Sequence, residues 1–164
     1  MRILTLVCLI FVVCLTSLTA YAASNKSASV ITSRIAVSDS SFNHPHDLVL
    51  SPDGTNLYVS DLDNNVVKVT DPTTLKTIGT IGENDLDSPH DVSFDHQGRL
   101  MVADSGNDKI IVYEVLDNGS QKVITFGKGL TSPEGITPGP DGLIYATDTG
   151  GGTVIAYQKC YDRW

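Results

Sequence analysis

Residues 88–115 read SPHDVSFDHQGRLMVADSGNDKIIVYEV. Three apolar runs stand in this stretch: Val92–Phe94, Leu100–Ala103 and Lys109–Val115. Each is short, rich in Val and Ile, and bounded by Gly, Asp or Asn, which is the pattern of strands rather than helices. A fourth run, QKVITF, follows at 121–126. The same plan recurs at a spacing of 44 residues, because Pro45-His46-Asp47, Pro89-His90-Asp91 and Pro133-Glu134-Gly135 open successive copies. Turns follow at Pro52-Asp53-Gly54, His96-Gln97-Gly98 and Pro140-Asp141-Gly142, and then runs ending at Asp61, Asp104 and Asp148. The next runs are VVKV at 66–69 and TVIAY at 153–157 in the outer two copies, and the first copy adds LKTIGTI at 75–81. No segment after residue 23 carries a helical period.

Four antiparallel strands in each 44-residue copy predict an all-β chain built from β-propeller blades. A blade hides its apolar faces only against its neighbours, so the repeat is also the folding unit. The expected blades span 45–88, 89–132 and 133–158 within a propeller segment of 42–164, preceded by an N-terminal segment of 23–41. That gives a partial propeller of about three four-stranded blades, half or a fragment of a six-bladed ring. Residues 30–37 (VITSRIAV) read as a spare strand able to complete the three-stranded third copy. Rings close with 4–8 blades. Three accounts of the missing blades stay open: a homodimer that completes a six-bladed ring, a longer reading frame, or an open arc.

Residues 1–22 carry the marks of an export signal. Arg2 precedes an apolar run from Ile3 to Leu15, and Ala20-Tyr21-Ala22 offers a small-x-small cleavage site. The run is shorter than the roughly 20 residues of a membrane-spanning helix. A secreted or extracytoplasmic chain is expected, free of the membrane after cleavage; an uncleaved anchor is the alternative. Cys8 and Cys14 would leave with the signal, and Cys160 remains as a buried thiol or an intermolecular partner. Sequons stand at Asn25 and Asn118. Across 164 residues the net charge is -8. Such a chain lacks the cations that replace counterions on nucleic acid, so no nucleic-acid partner is expected.

Equivalent positions in successive blades sit at the same height around one axis. His46, His90 and Glu134 therefore converge near the channel mouth. Two imidazoles and a carboxylate are a ligand set for Zn²⁺ with an open position, with Asp47 and Asp91 behind them and His44 nearby. The competing reading has these residues closing the turn into the inner strand. Asp61, Asp104 and Asp148 are expected to be structural, binding N–H groups of the turns beside them. The acidic runs 61–63 and 83–87 offer oxygen ligands for Ca²⁺ or simply solvated loops. The Gly-x-Ser-x-Gly, Cys-x-x-Cys and His-Glu-x-x-His patterns are absent, as is a phosphate-binding glycine loop.

The second copy resembles an NHL repeat in its Pro-His-Asp opening, its Gly98 turn, its Val102-Ala103-Asp104-Ser105-Gly106-Asn107 stretch and its Ile110–Tyr113 run. The first copy is similar to the YVTN-type propeller repeat, and the third departs at Gly150–Gly152. The resemblance covers about 42–158 and implies a propeller that binds proteins, binds RNA or acts as an enzyme. The Pro45-His46 and Pro89-His90 openings are also similar to those of the peptidyl-hydroxyglycine amidating lyases. That likeness implies zinc at His46 and His90, with Glu134 where that family has a third histidine. Its catalytic arginine and tyrosine have no assignable counterparts here. Pro133-Glu134-Gly135 is similar to the opening of gluconolactonase-like propellers, whose glutamate binds a divalent metal. The expected function is a secreted scaffold that binds a protein or small ligand on its top face. The alternative is a metal-dependent lyase or lactonase.

Overall fold

Apolar residues run without a break through Leu100–Ala103 and Ile110–Tyr113, and both faces of these stretches are covered. The computed structural model describes residues 36–117 and 119–158. Blade 1 comprises β1 (Pro45–Leu50), β2 (Leu57–Asp61), β3 (Val66–Thr70) and β4 (Thr77–Ile81). Blade 2 comprises β5 (Pro89–Phe94), β6 (Leu100–Asp104), β7 (Lys109–Leu116) and β8 (Gly119–Phe126). Blade 3 comprises β9 (Pro133–Pro138), β10 (Ile144–Asp148) and β11 (Thr153–Tyr157). Each sheet is a meander of antiparallel neighbours in chain order, and the third has three strands among the described residues. The chain is thus a partial β-propeller. Of the spare strand expected at 30–37, only Ala36 and Val37 are described, and they lie in no strand. The export signal, Asn25, Asn118 and Cys160 fall outside the described residues.

Gly54, Gly98 and Gly142 close the hairpins between first and second strands, with φ of +72°, +74° and +82°. That left-handed conformation carries no Cβ penalty at glycine, which explains the glycine at the end of each Asp-Gly or Gln-Gly turn.

The core has two layers, one at each joint between blades. Tyr58, Val67 and Ile81 of blade 1 pack with Val92, Leu100, Val102, Ile111 and Tyr113 of blade 2. The opposite face of blade 2, through Met101, Ala103, Ile110 and Val112, packs with Ile136 of blade 3. Successive side chains of a strand point to opposite faces. Leu100 and Val102 therefore serve one joint while Met101 and Ala103 serve the other. This is why β6 is apolar up to Asp104 and buried along its whole length.

The innermost strand of each blade is irregular at its start. In blade 2, Pro89 pairs with Asp104 and Asp91 with Ala103, so His90 is an extra residue. In blade 3, Pro133 pairs with Asp148 and Gly135 with Thr147, so Glu134 is extra. Blade 1 has the same shift between Pro45 and Leu48, across His46. A bulge of this kind bends its strand and re-aims the side chain it carries.

Candidate functional site

Two recurring devices set the approach to each bulge. The residue before each opening proline is left-handed: His44 at φ +67°, Ser88 at +50° and Ser132 at +57°. The residue before that is held by the aspartate ending the second strand. Asn43 N–H donates to Asp61 Oδ1 (2.7 Å) and Asp87 N–H to Asp104 Oδ1 (2.7 Å). In blade 3 the equivalent residue is held in the same way, where Thr131 N–H donates to Asp148 Oδ1 (2.6 Å). The three aspartates thus anchor the segment entering the inner strand, whereas the sequence pointed to backbone N–H groups of the turns beside them. The turn supplies a side chain instead in blades 1 and 2, with Asn64 Nδ2 donating to Asp61 (2.7 Å) and Asn107 Nδ2 to Asp104 (2.9 Å). Burial raises the Asp104 carboxyl above its ordinary range, opposed by the Asp87 N–H, by Asn107 and by Lys109.

At the mouth, the His46 and His90 rings meet edge to face with centroids 4.3 Å apart, and His44 lies 6.2 Å from His46. His90 Nδ1 is buried and meets no hydrogen-bond partner. Burial lowers the His90 pKa, the neighbouring His46 lowers it further, and Glu134 opposes both. Glu134 thus acts electrostatically on His90 from the next blade. Asp47 stands close enough to Asp91 to act on its carboxyl. Burial first, and then Asp47, push the Asp91 pKa up to about 7, against the pull of the Ile136 N–H. That N–H donates to Asp91 Oδ2 at 2.5 Å and ties blade 3 to blade 2. Ser60 Oγ donates to the His90 carbonyl (2.8 Å) and ties blade 1 to blade 2. Blade 3 has Gly135 at the place of these aspartates. A Cβ there would stand 2.8 Å from Thr147 Oγ1, so this copy has no room for the side chain.

The structure therefore brings His44, His46 and His90 together, and sets Glu134 close enough to act on His90 and Asp47 close enough to act on Asp91. The two imidazoles pack against each other edge to face. Among the described residues, no three His, Cys, Asp or Glu side chains are placed to hold a metal ion. Several acids of the two acidic runs have other partners. Asp61 pairs with Lys68 (3.0 Å) and Asp85 with Lys122 (2.6 Å), while Glu83 accepts from the Thr80 hydroxyl.

A second concave surface lies at the other end of the strands, between blades 2 and 3. This groove of about 690 Å³ is lined by Met101, Val112, Ile124, Phe126, Ile144 and Tyr157. Its rim carries the Arg99–Asp95 ion pair (2.6 Å) and His96, whose Nε2 lies 2.7 Å from the Gly139 carbonyl. These apolar positions read in the sequence as ordinary strand residues; only the three-stranded third copy hinted at an uncovered outer edge.

No protein-family model and no curated protein matches the chain. Solved structures do. Hydrazine synthase of Kuenenia stuttgartiensis is 21% identical with a TM-score of 0.51, over 77% of this chain and 38% of that one. A protein from Lactobacillus plantarum is 19% identical with a TM-score of 0.55, over 70% and 41%. A candidate 6-phosphogluconolactonase from Bacteroides fragilis is 17% identical with a TM-score of 0.51, over 68% and 37%. At such identities the likeness is one of fold. The matched region spans about two fifths of the length of these neighbours.

Proposed function

We propose that the chain is an exported, NHL-like propeller that serves as a binding scaffold, with its mouth surface taking a polar partner. The observation that supports this reading is the gathering of bulge-position side chains from neighbouring blades around a buried His90 Nδ1 that meets no partner. A buried polar atom without a hydrogen bond is costly and gains when a ligand group reaches it. His44 and His46 are exposed beside it, while Glu134 adds an acceptor, so the surface offers both ring N–H and carboxylate groups. A protein loop or a small polar molecule bearing hydroxyl or amide groups suits that mixture.

Affinity capture on the full chain, with His46→Ala/His90→Ala as the paired control, tests this reading. A partner retained by the unaltered chain and lost by the double variant supports the scaffold. Equal retention by both, or no partner at all, sinks it. Metal analysis of the same preparations tests the other reading. Zinc bound one per chain and lost in either histidine variant would move the assignment to a metal-dependent lyase or lactonase. Mass spectrometry of the exported product tests export separately, with an N-terminus at Ala23 as the expected result.

A further inference from the structure

Repeat arithmetic identifies two surfaces that belong together. Leu48, Val92 and Ile136 occupy one position of the 44-residue repeat. Val92 and Ile136 are 3% and 4% exposed because each lies against the preceding blade, whereas Leu48 is 59% exposed. Two residues on, Leu50 is 51% exposed, while its counterpart Phe94 packs into the joint between blades 1 and 2. The converse holds at the other end. Val67 and Ile110 are both 0% exposed against the following blade, while their counterpart Val154 is 72% exposed. Leu48 and Leu50 are thus the entering half of a joint, and Val154 is the receiving half. The same joint is made twice within the chain.

Within the chain these joints lie chiefly between inner strands, β5 against β1 and β2, and β9 against β5 and β6. The exposed leucines are on the corresponding strand, β1. Farther out on the same face, Lys68 stands where blade 2 has Ile111, already covered by the Phe42 ring (4.5 Å) and neutralised by Asp61 (3.0 Å). The uncovered part is therefore the part that the internal joints use. Large apolar surface left in water favours association.

We propose that a second copy of this chain supplies the missing neighbour, each copy setting Leu48 and Leu50 against Val154 of the other and against its Tyr145, the blade 3 counterpart of Tyr58 and Met101 in the internal joints. Two such joints close a head-to-tail pair into a six-bladed ring. A heterologous contact closes in this way when its rotation completes a circle. The pairing sets Glu134 of one copy beside His46 of the other, as Glu134 already acts on His90 within a chain. The new joints lack one internal feature. Asn65 accepts from Ser88 N–H (2.9 Å) and Asp108 from Ser132 N–H (2.8 Å), but the third copy has Gly152 there. The joint between copies is accordingly the weaker one, and the pair dissociates on dilution.

Light scattering and sedimentation on the full chain test this, for the unaltered protein, Leu48→Asp and Val154→Asp. Both positions are exposed within one chain, so each variant keeps its β-type circular dichroism. The expected mass is twice that of the chain, falling to one chain in either variant. With two joints per pair, the dissociation constant rises about a hundredfold, or roughly tenfold per joint. A unaltered chain that stays monomeric at every concentration overturns the proposal, as does a dimer indifferent to both substitutions. Open oligomers larger than two overturn the six-bladed closure. A monomer with β1 protected from hydrogen exchange assigns the face to another part of the same chain, and also overturns it.

Discussion

Ile110 and Val154 occupy the same place in successive blades, yet one is sealed from water and the other stands in it. Residue type does not explain the difference, since both are β-branched and second in their strands, although among the described residues β7 is paired on both sides and β11 on one. Among the described residues, blade 2 has a neighbour on each face and blade 3 has one. Burial in this fold is therefore a property of the joint, and the repeat sequence only makes a residue eligible for it. The aspartates at the ends of β2 and β10 teach the same lesson for charge. Asp61 faces Lys68, whereas the residue matching Lys68 in blade 3 is Ile155.

The largest expected effect breaks the comparison at the charged position. Asp61→Ala strips the buried Lys68 ammonium of its counter-charge, leaving it the Ser41 oxygens and the Phe42 ring, a loss of about 4 kcal/mol. Asp148→Ala frees only the Thr131 N–H and costs about 1 kcal/mol. Urea unfolding of the two variants measures the ratio, and equal losses would show that Lys68 relaxes into water. Next in size is the apolar pair. Ile110→Ala opens a cavity between blades 2 and 3 and costs about 3 kcal/mol. Val154→Ala in a dilute sample stays within about 0.5 kcal/mol. A large loss in the second variant under dimer-forming conditions, and not on dilution, would sharpen the contrast.

The blades were legible because strand periodicity, turn glycines and the 44-residue spacing all point the same way. The meeting of His46 with His90 was legible too, through repeat equivalence alone. What escaped was the bulge at His90 and Glu134, since one extra residue in a strand leaves no mark in an apolar pattern. The reach of Asp61, Asp104 and Asp148 to the chain entering the inner strand also escaped. The N–H groups that donate to them lie 17 or 18 residues back in the chain, and local turn chemistry favoured nearer N–H groups. The action of Asp47 on Asp91 was hidden for a similar reason, because spacing shows that two acids are equivalent but not that one is buried beside the other.

The raised Asp91 pKa gives the third prediction. Asp91 has its pKa pushed up to about 7 by burial and by Asp47. Between the ordinary carboxylate range and about 7, the folded chain holds a proton that the unfolded chain has lost. The contribution of Asp91 is therefore complete below about pH 4 and is lost as pH rises through 7. His90 works the other way, since its lowered pKa makes folding less favourable as pH falls. Asp91→Asn separates the two by fixing the neutral form. Relative to the unaltered chain, it gains about 1–2 kcal/mol between pH 5 and pH 8, after allowance for solvent around a half-buried pair. Urea midpoints at the two pH values measure that difference, and no gain would mean the pair ionises freely.

The smallest effect concerns the side chains that tie one blade to the next. Asn65 and Asp108 are left-handed, at φ +56° and +55°, and each accepts the N–H of the residue before the next blade's opening proline. Gly152 keeps the conformation at φ +64° and offers no acceptor. Asn65→Gly transplants the third copy's arrangement into the first joint without backbone strain, since glycine adopts this φ freely. The lost hydrogen bond is exposed and worth about 0.5 kcal/mol, part of it returned by relief at the left-handed position. A small loss that appears equally in Asp108→Gly would show that the internal joints rest on their apolar faces. Apolar contact alone would then suffice for a joint closed at Gly152. A loss of several kcal/mol would mean that the side-chain tie is essential, and that the face ending in Gly152 makes a poor joint.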